Sequence, residues 1–290
     1  MTTTVASQHA WFNGQITARE AGAPSIASIS LHLGTGVFDG LVAYRNDDHY
    51  YAHRIEEHLV RFQSGAARMG LEIPWTIGQL ADGIAELLRL EAPGTQYVRP
   101  IAYRRAPELW VTGSEGRPVD VSIFTVRMPR DSNASLTCHV SPVERISSRA
   151  IPQQTKVSGA YVNSFNARRA AELAGFNDGI MLDREGRVTE ASAANFFAIR
   201  AGRLLTPPLN PDVFPGITRQ VILEIADNLG IESAQVDLRL RDLDDLDGAF
   251  LCSTLMEVRG ISRLGDRVLP TLESDAFAAI VSAFREMTHQ

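Results

Sequence analysis

One side chain among 290 residues can act as a primary amine: Lys156, the single lysine beside 27 arginines. A guanidinium stays charged at any working pH, whereas a desolvated lysine can lose its proton and condense with an aldehyde or ketone. Compositional drift toward arginine explains the 27 and leaves the survivor open, as an accident or as a position where only an amine serves. A second feature has chemistry of its own. The run Phe214-Pro215-Gly216-Ile217-Thr218-Arg219 opens an expected helix. Its unpaired N–H groups and the Thr218 hydroxyl lie at the positive end of the helix dipole, a ready anion site whose entry Pro215 would help to fix. No comparable argument supports a metal. His32, His53, His58 and His139 lack ligand spacing, and Gly34-Thr35-Gly36 is too short for a nucleotide loop and reads as a tight turn.

Composition bounds what these residues can serve. At 44% apolar residues the chain has enough material for two cores of ordinary size. A net charge of −6 and a pI near 5.7 provide no basic field for nucleic acid or an anionic membrane, and small-molecule work is expected instead. Arg104-Arg105 and Arg168-Arg169 read as isolated surface pairs, and Asp242 to Asp247 as a solvated acidic segment. Cys138 and Cys252 are far apart and read as buried thiols in a reducing compartment. With no leader and no stretch as long as a membrane span, a cytoplasmic protein is expected.

The elements that must position the chemistry follow from periodicity. Ala10 to Thr17 predicts a hairpin turning at Asn13-Gly14, and Leu41 to Tyr44 with His49 to Ala52 predicts a second. Ile55, Leu59, Phe62, Ala66 and Met69 share one helical face ending at Gly70, and a further helix is expected from Ile77 to Leu90. Strands are expected over 97–103 and 119–126, so the first half is an α+β layer. The segment from Met128 to Asn133 is polar and proline-punctuated and reads as a linker. Beyond it, helices are expected over 162–174, 216–229 and 275–287, with short strands over 179–182, 187–189, 195–200 and 204–206.

Several strings then combine. Around the lysine the chain reads Gln154-Thr155-Lys156-Val157-Ser158-Gly159-Ala160-Tyr161, followed by Val188-Thr189-Glu190-Ala191-Ser192-Ala193-Ala194-Asn195-Phe196-Phe197 and Leu205-Thr206-Pro207-Pro208. The first half contributes Trp11-Phe12-Asn13-Gly14, Leu31 to Gly40, Glu57-His58-Leu59-Val60-Arg61-Phe62 and Tyr97-Val98-Arg99-Pro100. In this order the series resembles the class IV aminotransferases, pyridoxal-phosphate enzymes of fold type IV, and within them the branched-chain amino-acid aminotransferases. The resemblance implies a two-domain α+β fold like that of D-amino-acid aminotransferase, with a small domain over 1–128, a linker over 129–135 and a large domain of antiparallel strands and helices over 136–290. It also implies a cofactor at the domain interface and a homodimer whose Leu33 region crosses to the neighbouring site.

By the same resemblance Lys156 holds pyridoxal 5'-phosphate as an internal aldimine and moves the substrate proton, with pyridoxamine phosphate formed midway. Glu190 serves the pyridine nitrogen, Tyr161 the phenolic oxygen, and Arg61, Ile217, Thr218 and Thr254 the phosphate. Taken singly, Glu190 also reads as a strand-end acid, Tyr161 as a core aromatic and Arg61 as a solvated residue. Tyr97 and Arg99 match substrate positions, Arg99 where the family binds the side-chain carboxylate of glutamate; alternatively Arg99 pairs with a local acid. Two departures bear on substrate. Leu33 replaces a tyrosine, and Leu255-Met256 follows Thr254 where the family has two alanines, adding bulk beside the turn that receives the substrate carboxylate. The leading expectation is a transaminase acting on glutamate or a branched-chain-like amino acid and a 2-oxo acid. The alternatives are a D-amino-acid or (R)-amine transaminase, a lyase of the aminodeoxychorismate lyase type, and a non-enzymatic pyridoxal-binding protein.

Overall fold

The computed structural model of the protein describes residues 6–47, 49–105, 116, 118–128, 134–210 and 212–288. The chain forms two compact units. The first takes Met1–Asp131 and Thr155–Gly159, the second Ser132–Gln154 and Ala160–Thr288. Most of the expected linker, residues 129–133, lies outside the described residues.

The first unit contains β1 (Ala6–Phe12), β2 (Gln15–Ala18), α1 (Ile29–Leu33), β3 (Val37–Phe38), β4 (Leu41–Asn46), β5 (His49–Ala52), α2 (Ile55–Arg68), α3 (Ile77–Arg89), β6 (Gln96–Arg104) and β7 (Val119–Arg127). Its sheet runs β2-β1-β7-β6-β4-β5, with β3 also paired to β6. Asn13 and Gly14 take φ of 49° and 92°, as the tight turn between β1 and β2 requires. Helix α2 stops where Gly70 turns left-handed at φ 65° and the Leu71 N–H donates back to the Ala66 carbonyl at 2.8 Å. Helix α3 starts on a reciprocal cap, the Gln79 N–H donating to Thr76 Oγ1 at 3.2 Å and the Thr76 N–H to Gln79 Oε1 at 2.9 Å. Leu59 and Phe62 of α2 and Leu80, Ile84 and Leu87 of α3 are buried, as are Leu41, Val98 and Ile123 of the sheet. Each such side chain contributes about 1.5–3 kcal/mol. Arg104, read from sequence as a surface residue, is buried and donates to the Gly70 carbonyl at 2.5 Å, while Arg105 is exposed and pairs with the buried Asp120.

The second unit contains β8 (Leu136–Val140), α4 (Tyr161–Leu173), β9 (Asp178–Ile180), β10 (Asn195–Arg200), β11 (Arg203–Thr206), α5 (Ile217–Asn228), β12 (Ser233–Gln235), β13 (Gly248–Ser253), β14 (Glu257–Leu264), β15 (Arg267–Val268) and α6 (Asp275–Thr288). The sheet order is β12-β11-β10-β13-β14-β8-β9, with β15 on β14. This sheet is mixed rather than purely antiparallel: β8 pairs parallel with β9 and with β14, and β11 with β12. The connectivity explains the correction. The chain passes from β8 to β9 through α4 and from β11 to β12 through α5, and helical crossovers return a strand in the same direction.

Both faces of this sheet are covered. Phe196, Ala198, Ala249 and Leu251 belong to one core, whereas Phe197, Ile199, Phe250 and Cys252 alternate into the other with residues of α5 and α6. Phe197 and Phe250 stack with ring centroids 5.0 Å apart. Cys138 and Cys252 are buried free thiols, and burial pushes both well above the ordinary thiol range. No described helix is long and apolar enough to cross a membrane.

Candidate active site

In the first unit the segment carrying the lysine extends the sheet by backbone pairing. Val157 bridges Val37, the Phe38 N–H donates to the Lys156 carbonyl at 3.1 Å, and the Ser158 and Gly159 N–H groups donate to Gly36 and Gly34, each at 2.8 Å. Lys156 is half-buried, its Nζ 5.9 Å from the centre of the Phe38 ring. The same ring also meets an arginine. Arg99 lies over the Phe38 ring at 4.7 Å and over Tyr97 at 5.1 Å, and its Nη2 donates to the Tyr97 hydroxyl at 2.9 Å. Among the described residues no acid pairs with Arg99, and its Nε is buried without a partner. Gly40 permits this arrangement, because a Cβ there would lie 1.9 Å from the Tyr97 hydroxyl.

Arg61 is not a solvated residue. On α2 its side chain is 14% exposed and grips Asp39, Nε to Oδ2 and Nη2 to Oδ1, both at 2.8 Å. His58, one turn earlier on the helix, meets Asp39 Oδ1 through Nδ1 at 2.8 Å. Burial would raise the Asp39 pKa, but the Arg61 charge and the hydrogen bonds from His58 and Arg61 hold it well below the usual carboxylate range. For His58, burial dominates and lowers the pKa despite Asp39, with the charges of Arg61 and Lys156 adding to the effect.

In the second unit Glu190 is buried and fully engaged. Arg145 Nη2 lies 2.7 Å from Oε1, and Oε2 accepts from Asn195 Nδ2 and from the Phe214 N–H, both at 3.1 Å. Asn195 joins the remaining parts. It bridges Glu190 through the backbone, pairs in register with Cys252 of β13, donates to the Phe214 carbonyl at 3.0 Å, and approaches so closely that a Cβ on Gly216 would lie 2.0 Å from its Oδ1. Gly216 is the N-cap of α5 and supplies no side-chain cap, so buried Ile217 and Thr218 present the first turn of that helix. The connection after Cys252 reaches Thr254, half-buried in the turn between β13 and β14, and then Leu255, 54% exposed. Tyr161 is the first residue of α4, and Leu33 the last of α1, 42% exposed.

Residues 36–264 match the family model described as amino-transferase class IV. The chain belongs to the class IV aminotransferases. A probable branched-chain-amino-acid aminotransferase of Aquifex aeolicus is 31% identical over 264 residues, covering 89% of this chain and 85% of that protein. Among solved structures, the branched-chain aminotransferase of Thermoproteus uzoniensis with norvaline superposes with a TM-score of 0.93 at 29% identity, covering 99% of this chain and 96% of that one. The T.th. branched-chain amino acid aminotransferase complexed with N-(5'-phosphopyridoxyl)-L-glutamate gives a TM-score of 0.90 at 28% identity, covering 97% and 95%. This class IV aminotransferase therefore has the fold type IV architecture and is a pyridoxal-phosphate-dependent transaminase.

Each unit holds groups of the types that this cofactor requires. The first has an amine beside an aromatic ring and an arginine held at a fixed orientation; the second has a buried carboxylate with its own orienting partners and a helix start without a side-chain cap. Four residues that bond to these groups have no role assigned from the sequence: Asp39, His58, Arg145 and Asn195. Asp39, His58 and Asn195 lie inside recognised strings, His58 three residues before Arg61 on one helix face. Arg145 has no local signal, being one of 27 arginines and 45 residues from the acid it serves.

Proposed function

We propose that this transaminase exchanges the amino groups of branched-chain amino acids and glutamate with the corresponding 2-oxo acids. The observation that carries the reading is the Phe38–Tyr97–Arg99 wall. The Phe38 ring lies near both Lys156 Nζ, at 5.9 Å, and the Arg99 guanidinium, at 4.7 Å. Such a wall accepts an aliphatic side chain against its rings and a carboxylate side chain at its cation, which an exchange between two such donors demands.

Pyridoxal phosphate supplies the electron sink that makes the substrate α-proton removable. Lys156 would hold the cofactor through Nζ and, once released, accept and return the α-proton there. The Glu190 carboxylate would keep a proton on the ring nitrogen, with Arg145, Asn195 and the Phe214 N–H fixing its direction. The phosphate falls to Arg61, to the α5 start at Ile217 and Thr218, and to Thr254, while Tyr161 serves the phenolic oxygen. Leu255 and Met256 add apolar bulk beside the Thr254 turn, a departure from the two alanines of the branched-chain pattern. A small domain over 1–128 and a large one over 136–290 would be joined by a linker over 129–135. The protein would act as a cytoplasmic homodimer. Ile26, Leu31 and Leu33 are 85%, 59% and 42% exposed within eight residues, an apolar stretch suited to a second copy.

The test is a titration of the holoprotein with L-leucine, L-valine, L-glutamate, their D-enantiomers and simple amines, without any keto acid. The expected result is one conversion of the visible cofactor band with the L-amino acids. Conversion only by D-amino acids or amines, or continued release of keto acid and ammonia with the band unchanged, overturns the assignment. A sedimentation experiment giving a monomer would remove the dimer.

A further inference from the structure

We infer that Asp39 is a positioning residue for the cofactor phosphate: a buried acid orients Arg61, and that orientation sets how well the dianion is held. The inference rests on the proposed role of Arg61. Asp39 is 1% exposed and spends its carboxylate entirely on local donors. Oδ2 accepts from Arg61 Nε at 2.8 Å, and Oδ1 accepts from Arg61 Nη2 at 2.8 Å, from His58 Nδ1 at 2.8 Å and from the Gly40 N–H at 2.7 Å. Because burial favours neutral His58, its one ring proton belongs on Nδ1, toward the acid. Arg61 Nη2 lies 3.3 Å from that same nitrogen, which as a donor cannot accept from it.

A guanidinium can present a two-pronged fork along its Nε–Nη2 edge or its Nη1–Nη2 edge. Asp39 takes the first, and so fixes the plane of the guanidinium and the direction of the second. The backbone carrying Asp39 also carries the lysine, since the adjacent Phe38 N–H donates to the Lys156 carbonyl at 3.1 Å. Arginine and amine are therefore referred to one short piece of chain. Charge alone argues the other way. A carboxylate in contact with Arg61 cancels part of its field, so an account based only on Coulomb attraction has the dianion bound more tightly when Asp39 is neutralised. Positioning and charge thus predict opposite signs for the same substitution.

The experiment compares pyridoxal phosphate with pyridoxal, which lacks the phosphate, by titrating apoprotein and following tryptophan fluorescence and the visible band. Positioning predicts that Asp39→Asn weakens pyridoxal phosphate by about tenfold to a hundredfold and leaves pyridoxal unchanged. Arg61→Lys should show the same phosphate-specific loss, and adding Asp39→Asn to it should cost little more, because the acid acts through the arginine. If Asp39→Asn does not fold by circular dichroism, Asp39→Glu decides in the same way, keeping the charge while displacing the guanidinium. Equal or tighter binding of pyridoxal phosphate in the Asp39 variants, or equal weakening of both ligands, overturns the inference. If Arg61→Lys itself does not alter the preference for the phosphorylated ligand, the role of Arg61 is what fails, and the role of Asp39 falls with it.

Discussion

Asp39 with Arg61 in the first unit and Glu190 with Arg145 in the second are buried ion pairs closed at 2.8 and 2.7 Å, yet their working members are reversed. Asp39 is saturated by Arg61, His58 and the Gly40 N–H, and the proposed contact with a ligand belongs to the arginine. In the other pair the arginine is tied back as well, Arg145 Nε donating to the Asp212 carbonyl at 3.2 Å, and the proposed chemistry belongs to the acid. A buried pair is seldom a gain in stability over apolar packing, because both charges lose their water. Here each pair fixes the direction of one charged group in advance, and that is the return for the desolvation.

Removing the orienting partner should produce the largest effect on stability. Arg145→Ala leaves Glu190 buried without its counter-charge, and the expected loss is about 3–5 kcal/mol, read from the denaturant midpoint. A loss below about 1 kcal/mol would mean that the pair behaves as if exposed to solvent. Glu190→Gln sharpens the contrast between partner and worker. With cofactor saturating, kcat should fall about 100-fold to 1,000-fold, further than in a folded Arg145 variant. Equal losses in the two would erase the distinction.

The smallest effect is one of pH. In the fold both His58 and Asp39 have pKa values lowered from their ordinary ones. The unfolded chain then binds more protons, so the stabilisation is present above the unfolded pKa and is lost as pH falls. For His58 the loss should begin below about pH 6.5, and for Asp39 below about pH 3.9, with a slope of at most about 1.4 kcal/mol per pH unit for each proton. Melting temperatures of the protein and of His58→Asn between pH 7 and pH 5 check the first window. The variant should lack that part of the slope, and superimposed curves would show that His58 is not held neutral.

The same pairs illustrate what a sequence makes legible. Arg61 and Glu190 are visible because their strings carry them, and α2 to α6 lie within one residue of the bounds expected from periodicity and caps. The orienting partners are harder to see, since a hydrogen bond across 45 residues leaves no local trace. Strands β13 and β14, central to the second sheet, also escape. Gly248 to Cys252 is buried on both faces and so shows no alternation of period two. The lysine segment escapes for another reason: it joins the first sheet through one isolated bridge and a few backbone bonds, too short a contact for any strand pattern.

The central claim is that the one lysine of this chain is the covalent seat of the cofactor. Borohydride reduction of the holoprotein followed by peptide mass spectrometry tests it directly. The expected result is a phosphopyridoxyl group on the peptide containing Lys156 and none in Lys156→Ala. An adduct found elsewhere, or a reduced holoprotein with no adduct at Lys156, would contradict it.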